Sequence, residues 1–264
     1  MVDKTGKIAV FDSGLGGLSV LKELIKILPE ENFIYFGDTA NAPYGVRSAD
    51  EVRALTFCAY ETLKREGIKA FVIACNTATS VAVRALRERY PDDIIIGVEP
   101  ALKPAVLSGE HPTVAVLATP LTLREEKFAN LLGRFADCAR VVPFACPGLV
   151  EYVERGDTSS DELLAFLGEL LAPLKSEKLD AVVLGCTHYP IIRDPIRAIL
   201  GDDVLIFDGG EGTARETRRR LEGAHLLAPS GNVGSVVFID SSFPNVKNPN
   251  ESTLTRFGGE YLCS

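Results

Sequence analysis

The sequence predicts an α/β protein with doubly wound, mostly parallel sheets that form two pseudo-symmetric lobes. Short apolar runs alternate with helical patterns along most of the 264 residues. Runs that are apolar throughout are typical of strands that helices cover on both faces, as in parallel sheets. Two of these runs, AFVIA at 70–74 and AVVLG at 181–185, each lead directly into a cysteine. This repeat indicates a weak internal duplication, with two similar lobes facing each other.

The first half of the chain contains four predicted strands and three predicted helices. The strands follow apolar runs at Lys7–Phe11, Asn32–Phe36, Ala70–Ala74 and Ile94–Val98. The helices follow apolar residues at helical spacing at Gly17–Leu28, Ser48–Glu66 and Ala78–Tyr90. Ser48 is predicted to cap the second helix, because Glu51 three residues later completes a capping box.

The pattern then restarts after a segment rich in proline and glycine, 99–112. The second set of strands is predicted at Val114–Leu117, Ala139–Pro143, Ala181–Leu184 and Val204–Phe207. Its helices are predicted at Leu121–Leu132, Asp161–Leu174 and Pro190–Leu200, followed by a tail with a helix at Thr213–Leu221 and a strand at Val236–Ile239. We therefore expect one lobe from residues 1–98 together with a C-terminal return, 209–264, and a second lobe from residues 99–208.

Composition limits the classes of function. The chain is 46% hydrophobic and 24% charged, as is ordinary for a soluble globular protein. Its net charge is −8 and no cluster of Lys and Arg stands out, so we expect no nucleic-acid partner. No stretch approaches the roughly 18 apolar residues of a membrane span, and the first apolar run meets Asp12 too soon for a secretory signal. We expect a cytoplasmic protein with no membrane partner, whose thiols stay reduced.

Two of the six cysteines, Cys75 and Cys186, stand in a setting that favours chemistry. Each follows a predicted strand and precedes a predicted helix, where parallel sheets bind their ligands. The positive end of a helix dipole favours the thiolate form of a thiol placed there. No cysteine lies in a CxxC pair or at metal-ligand spacing from a histidine, so we expect no metal.

Two thiols in matching settings indicate a symmetric task. In a racemisation, one base removes the α-proton from one face of the substrate and a conjugate acid returns a proton to the other face. The two residues exchange roles when the direction of the reaction reverses. The sequence therefore predicts a cofactor-independent racemase in which Cys75 and Cys186 are the paired acid and base.

The glycine cluster after the first strand supports a rival interpretation. Gly14 and Gly16 open a helix, and Asp38 ends the next strand, which approaches the fingerprint of a dinucleotide-binding turn. However, Ser19 stands where that fingerprint has Gly or Ala, and Asp12 lies where a pyrophosphate would approach. Nucleotide binding therefore stays an alternative.

Taken together, these motifs resemble those of bacterial glutamate racemases, in the aspartate/glutamate racemase superfamily. The matching stretches are Ala9–Leu18, Tyr35–Asp38, Ala42–Gly45, Ala74–Ala78 and Leu184–Pro190. The resemblance extends to about residue 220 and implies an active site in the cleft between the lobes. It also implies interconversion of L- and D-glutamate without pyridoxal phosphate or metal, which supplies D-glutamate for peptidoglycan. We expect a homodimer whose small-molecule partner is glutamate.

The resemblance also implies roles for individual residues. Cys75 and Cys186 match the two catalytic thiols of the family. Asp12 and His188 match side chains that assist proton transfer beside one thiol each, and Glu154 matches an acidic residue with a supporting role. Substrate binding is implied for Ser13, Pro43, Tyr44, Gly45, Asn76, Thr77, Thr119, Thr122 and Thr187. Two alternatives stay open: a racemase for aspartate or a related acidic substrate, and an inactive relative that binds another protein.

Overall fold

The computed structural model describes residues 3–243 and 253–263, which form two parallel sheets flanked by helices. The strands are β1 (Ile8–Asp12), β2 (Asn32–Gly37), β3 (Ala70–Ile73), β4 (Ile95–Gly97), β5 (Thr113–Ala118), β6 (Arg140–Ala145), β7 (Ala181–Leu184), β8 (Leu205–Asp208) and β9 (Ser235–Asp240). The helices are α1 (Leu18–Ile27), α2 (Ala49–Arg65), α3 (Asn76–Arg89), α4 (Leu102–Val106), α5 (Pro120–Arg124), α6 (Glu126–Gly133), α7 (Leu149–Glu154), α8 (Asp161–Leu170), α9 (Arg193–Leu200), α10 (Gly210–Gly223) and α11 (Thr253–Cys263).

Both sheets repeat one strand order, which confirms the predicted pair of related α/β lobes. Written from its β9 edge, the first sheet has the order β9-β2-β1-β3-β4, and the second sheet has the order β6-β5-β7-β8. Apart from the added β9, β2-β1-β3-β4 therefore corresponds to β6-β5-β7-β8. Every pairing between neighbouring strands is parallel. In each sheet the third strand of the repeat, β3 or β7, leads into one of the two cysteines. We call each sheet with its helices the first lobe and the second lobe.

The C-terminal part of the chain returns to the first sheet. Strand β9 pairs with β2, and helix α10 packs against α1. The strands of the first sheet therefore come from residues 8–97 and 235–240, and those of the second from residues 113–208. The predicted domain boundaries after residues 98 and 208 stay a prediction.

The central strands are buried on both faces, as their uninterrupted apolar runs predict. All residues of β1, β3 and β7 are buried. Because successive side chains of a strand point to opposite faces, Val10 packs into the core on one side of the first sheet, while Phe11 packs into the core on the other. Polar side chains that follow these strands are therefore held on a rigid frame.

The helices differ from the predicted ones where local chemistry interrupts them. The predicted helix 121–132 is divided into α5 and α6 at Glu125, whose backbone is extended, with φ −76° and ψ 140°. The predicted helix 161–174 ends at Leu170, because Pro173 lacks an N–H donor and its ring clashes with the preceding turn. Helices α4 and α7, with five and six residues, are shorter than two turns, which leaves no periodicity to detect.

One local feature of the helices is confirmed. The predicted capping box is present at the start of α2, where the Ser48 side chain accepts a hydrogen bond from the Glu51 N–H and the Glu51 side chain accepts one from the Ser48 N–H. In the parts of the chain that the structure describes, no helix is long and apolar enough to cross a membrane.

A buried ion pair joins three segments at the amino ends of β2 and β3. Lys69 Nζ lies 2.5 Å from a carboxylate oxygen of Glu31, and the two side chains are 0% and 2% exposed. The same ammonium donates to the carbonyl oxygens of Lys4 and Leu226, at 2.5 and 2.9 Å. Glu31 also accepts a hydrogen bond from the N–H of Ala228. The pair therefore ties the N-terminal segment and the segment after α10 to the first sheet.

Replacing Lys69 should strongly destabilise the fold. The substitution Lys69→Met leaves the buried Glu31 carboxylate without its cation, and we expect the free energy of unfolding, measured by urea denaturation, to fall by about 3–5 kcal/mol. Lys26→Met serves as the control, because Lys26 forms an exposed pair with Glu23 at 3.6 Å, and its loss should cost less than about 1 kcal/mol. A similar small loss for both variants would contradict this role of Lys69.

Candidate active site

Cys75 lies between β3 and α3 and caps the helix with its thiol. Its Sγ accepts a hydrogen bond from the Ala78 N–H at 3.5 Å and lies 3.6 Å from the hydroxyl oxygen of Ser13. Burial, followed by the nearby charge of Asp12, raises the pKa of Cys75 to about 12. The helix N-terminus favours the thiolate, as the sequence predicts, but burial outweighs it. Cys75 is therefore held as a neutral thiol at neutral pH.

Cys186 follows β7, and a histidine two residues later contacts it. Its Sγ lies 3.6 Å from Nδ1 of His188, whose Nε2 contacts a carboxylate oxygen of Glu154. Burial alone would lower the pKa of His188, but its bonds to Cys186 and Glu154 outweigh burial and raise the pKa well above the ordinary value. His188 is therefore an imidazolium at neutral pH. The chain continues into a 3-10 turn at Tyr189–Ile192, and the helix predicted at Pro190–Leu200 begins at Arg193 as α9.

Asp12 ends β1 and reaches the second lobe. Its fully buried carboxylate accepts hydrogen bonds from the Gly14 N–H at 2.9 Å and from the Thr187 hydroxyl at 3.0 Å. Burial raises the pKa of Asp12, although the charge of His188 opposes this effect. Asp12 thus lies between the two cysteine loops and has a partner on each side of the cleft.

Glu154, at the end of α7, closes the cleft from the second lobe. Besides contacting His188, its carboxylate accepts a hydrogen bond from the Leu15 N–H of the first lobe at 2.9 Å. A Cβ atom on Gly14 would lie 1.9 Å from this carboxylate, so only glycine allows the approach. Outside Glu154 lies a cavity of about 320 Å³, whose lining includes Leu15 and Pro43.

Three threonine hydroxyls from the two lobes meet at the boundary between the lobes. Thr77 Oγ1 lies 3.0 Å from Thr119 Oγ1 and 3.2 Å from Thr122 Oγ1, and the last two are 2.9 Å apart. Gly45, after the 42–43 cis peptide bond, packs directly against Thr119. The side-chain carbonyl oxygen of Asn76, the neighbour of Thr77 in the chain, is buried without a hydrogen-bond partner.

The structure brings the predicted residues together at the boundary between the lobes. Direct contacts link Ser13 to Cys75, Asp12 to Thr187, His188 to Cys186 and Glu154, and Thr77 to Thr119 and Thr122. The other predicted residues also follow strands of the first sheet. Pro43, Tyr44 and Gly45 lie in the connection after β2, and Asn76 is the first residue of α3. The roles assigned to these residues stay predictions. Within the described residues, no group of three or more His, Cys, Asp or Glu side chains is arranged to hold a metal ion.

Supporting residues emerge that sequence reasoning missed. The Tyr35 hydroxyl, below the glycine turn, donates to the Gly14 carbonyl at 2.7 Å. Asp38, which directly follows β2, accepts a hydrogen bond from the Tyr44 hydroxyl at 2.6 Å. Ser19 reaches the Thr187 carbonyl across the lobes. In the sequence, Tyr35 looks like an ordinary strand residue and Ser19 stands out only as a departure from the dinucleotide-binding fingerprint, whereas Asp38 carries a signal because it follows a strand.

Comparisons with known proteins agree with this geometry. The family model of Asp/Glu/hydantoin racemases matches residues 8–217. A glutamate racemase of Clostridium perfringens is 48% identical over 238 residues, which cover 90% of this chain and 92% of that protein.

Two crystal structures of glutamate racemases share the fold. The enzyme from Francisella tularensis, in complex with D-glutamate, gives a TM-score of 0.82 at 30% identity, covering 98% of this chain and 94% of that chain. The enzyme from Escherichia coli, in complex with L-glutamate and the activator UDP-MurNAc-ala, also gives 0.82 at 30% identity, covering 97% of this chain and 95% of that chain. The chain therefore belongs to the Asp/Glu/hydantoin racemase family, in the group of the glutamate racemases.

Proposed function

We propose that the chain interconverts L- and D-glutamate by moving a proton between Cys75 and Cys186 without a cofactor, and that it supplies D-glutamate for peptidoglycan. The observation that carries this proposal is the placement of the two thiols. They follow equivalent strands of two related sheets, and each lies near a different ionisable group, Asp12 or His188. Such an arrangement offers a base and an acid to a substrate bound between the lobes.

The reaction needs one thiolate and one thiol at any moment. In one direction, the Cys186 thiolate takes the α-proton of glutamate, and the electron pair of the broken C–H bond stays on the α-carbon. Cys75, which is held as a thiol, then gives its proton to the opposite face, which forms the new C–H bond and leaves a Cys75 thiolate. A neighbouring imidazolium stabilises a thiolate, so His188 supports the starting state of this direction. The reverse direction exchanges the two roles.

Polar groups near the thiols support glutamate as the substrate. The buried carbonyl oxygen of Asn76, which lacks a donor in the free protein, fits the ammonium group. The hydroxyl groups of Thr77, Thr119 and Thr122, which bond to one another in the free protein, are donors for a carboxylate. The relatives from Francisella tularensis and Escherichia coli, crystallised with D- and L-glutamate, support the same substrate.

The proposal extends to compartment and assembly. A reaction that depends on two free thiols requires a reducing compartment, which supports a cytoplasmic location. Val233 and Val237, exposed by 87% and 44%, leave apolar side chains on the surface at the edge strand β9 of the first sheet. Such a surface supports a homodimer in which a second copy covers it.

Removing either thiol should abolish racemisation. We expect Cys75→Ala and Cys186→Ala each to lower kcat by at least about 10²–10⁴-fold in both directions, because each direction uses one residue as base and the other as acid. Circular dichroism of L- or D-glutamate in cofactor-free buffer measures the rate. The exposed Cys58 provides a matched control, and Cys58→Ala should keep the wild-type rate. Racemase activity in both single variants would contradict the two-thiol mechanism.

The same assay decides between substrates. We expect the wild-type protein to invert glutamate and to leave aspartate unchanged or nearly so, since the cleft is proposed to recognise the longer acid. Faster turnover of aspartate would instead support the alternative of an aspartate racemase with the same fold.

The charge of His188 should make stability depend on pH. Its folded-state pKa lies well above its ordinary value of about 6.5, so the stability contributed by its charge is fully present below about pH 6.5. This contribution is lost as the pH rises through the folded-state pKa. In urea denaturation, the stability difference between wild type and His188→Gln should therefore be largest below about pH 6.5 and shrink at alkaline pH. The exposed His111 is the control, and a difference for His188→Gln that stays constant or grows with pH would contradict the charged state.

A further inference from the structure

We propose that Ser19 is a positioning residue for the reaction, because its hydroxyl holds the Cys186 loop in place against the first lobe. The proposal rests on the two-thiol function above. Ser19 lies in the first turn of α1, and its side chain is buried, with 8% of the residue exposed. Its Oγ lies 2.9 Å from the carbonyl oxygen of Thr187, the residue between Cys186 and His188.

The Thr187 carbonyl depends on this hydroxyl because of the proline that follows. In a turn, the N–H three residues later would donate to this carbonyl, but that residue is Pro190, which has no N–H. Ser19 Oγ supplies the donor instead. The hydroxyl also lies 2.8 Å from the Gly16 carbonyl, which already accepts a bond from the Ser19 N–H at 3.1 Å. Since a hydroxyl has one proton, the Thr187 carbonyl is the acceptor that needs it.

Thr187 is thereby held by the first lobe at its hydroxyl and at its carbonyl. Its hydroxyl donates to Asp12 at 3.0 Å, and its carbonyl accepts from Ser19. The glycine turn of the first lobe packs closely against this loop. A Cβ atom on Gly16 would lie 2.4 Å from His188 Nδ1 and 2.7 Å from the Thr187 hydroxyl oxygen. The two hydrogen bonds therefore fix Thr187, which lies between Cys186 and His188, relative to Asp12 and the first turn of α1.

The hydrogen bond between Ser19 and the Thr187 carbonyl positions only one of the two thiols, Cys186. Cys75 belongs to the first lobe together with Ser19, whereas Cys186 belongs to the second. Loss of the Ser19 bond would let the Cys186 loop shift relative to Cys75 and the substrate. Reactions that depend on alignment lose up to about 100-fold in rate when a group moves by roughly 1 Å. The same serine is the residue that departs from the dinucleotide-binding fingerprint, so its presence there has a structural reason.

The test is α-proton exchange and inversion by Ser19→Ala in D2O, followed by NMR and circular dichroism with each enantiomer of glutamate. One thiol suffices for exchange: it takes the proton, exchanges it for a deuteron from solvent and returns the deuteron to the same face. We expect inversion to fall by about 10- to 100-fold in both directions. Exchange should persist for the enantiomer that Cys75 deprotonates, so the ratio of exchange to inversion should rise for one enantiomer only.

Thr56→Val is the matched control. Thr56 is buried in α2, and its hydroxyl donates only within its own helix, to the Val52 carbonyl at 2.7 Å. This variant should keep the wild-type ratio for both enantiomers. A merely structural role for Ser19 would lower exchange and inversion in parallel for both enantiomers, and this result would overturn the proposal, as would wild-type rates in Ser19→Ala. If the wild-type protein itself incorporates no deuterium at the α-carbon, the two-thiol function fails instead.

Discussion

Several polar groups buried between the two lobes have partners on the opposite lobe, and the rest of the site depends on this constraint. A buried carboxylate or hydroxyl without a partner is costly. Asp12 is bonded by Thr187, Glu154 accepts the Leu15 N–H, and Thr77 meets Thr119. The contacts that close the lobes over the cleft are thus made by the residues proposed to act on the substrate.

The repeated fold places two thiols in equivalent positions but gives them different surroundings. Cys75 caps a regular α-helix and is buried near an acid, so it is held as a neutral thiol. Cys186 precedes a 3-10 turn and contacts the imidazolium of His188. The difference begins in the sequence, where one cysteine is followed by Asn76 and the other by Thr187 and His188. Symmetry of the backbone therefore supplies two thiols in equivalent positions, and the local sequence gives each of them a different ionisable neighbour.

Much of the fold could be predicted because its signals are local. Central strands such as β1 and β3 are apolar throughout, and the capping box at Ser48 depends on residues three positions apart. The two cysteines could be singled out because each follows a buried strand. The division of a predicted helix at Glu125 was missed, since nothing in its periodicity signals an extended residue.

What the sequence could not predict depends on contacts between distant segments. Glu154 and His188 are 34 residues apart, and Ser19 and Thr187 are 168 apart, so only the folded chain shows that they touch. The protonated state of Cys75 was likewise unpredictable, because burial of the thiol outweighs the helix dipole that the sequence reveals. Residue types and local spacing identify the reacting groups, whereas packing decides their charge and alignment.

A crystal structure of the chain with glutamate bound tests the central claim most directly. The account predicts that the α-carbon lies between the sulfur atoms of Cys75 and Cys186, each about 3.5 Å away and on opposite faces of the substrate. A complex with both sulfur atoms on one face, or with one of them out of reach of the α-carbon, would contradict it.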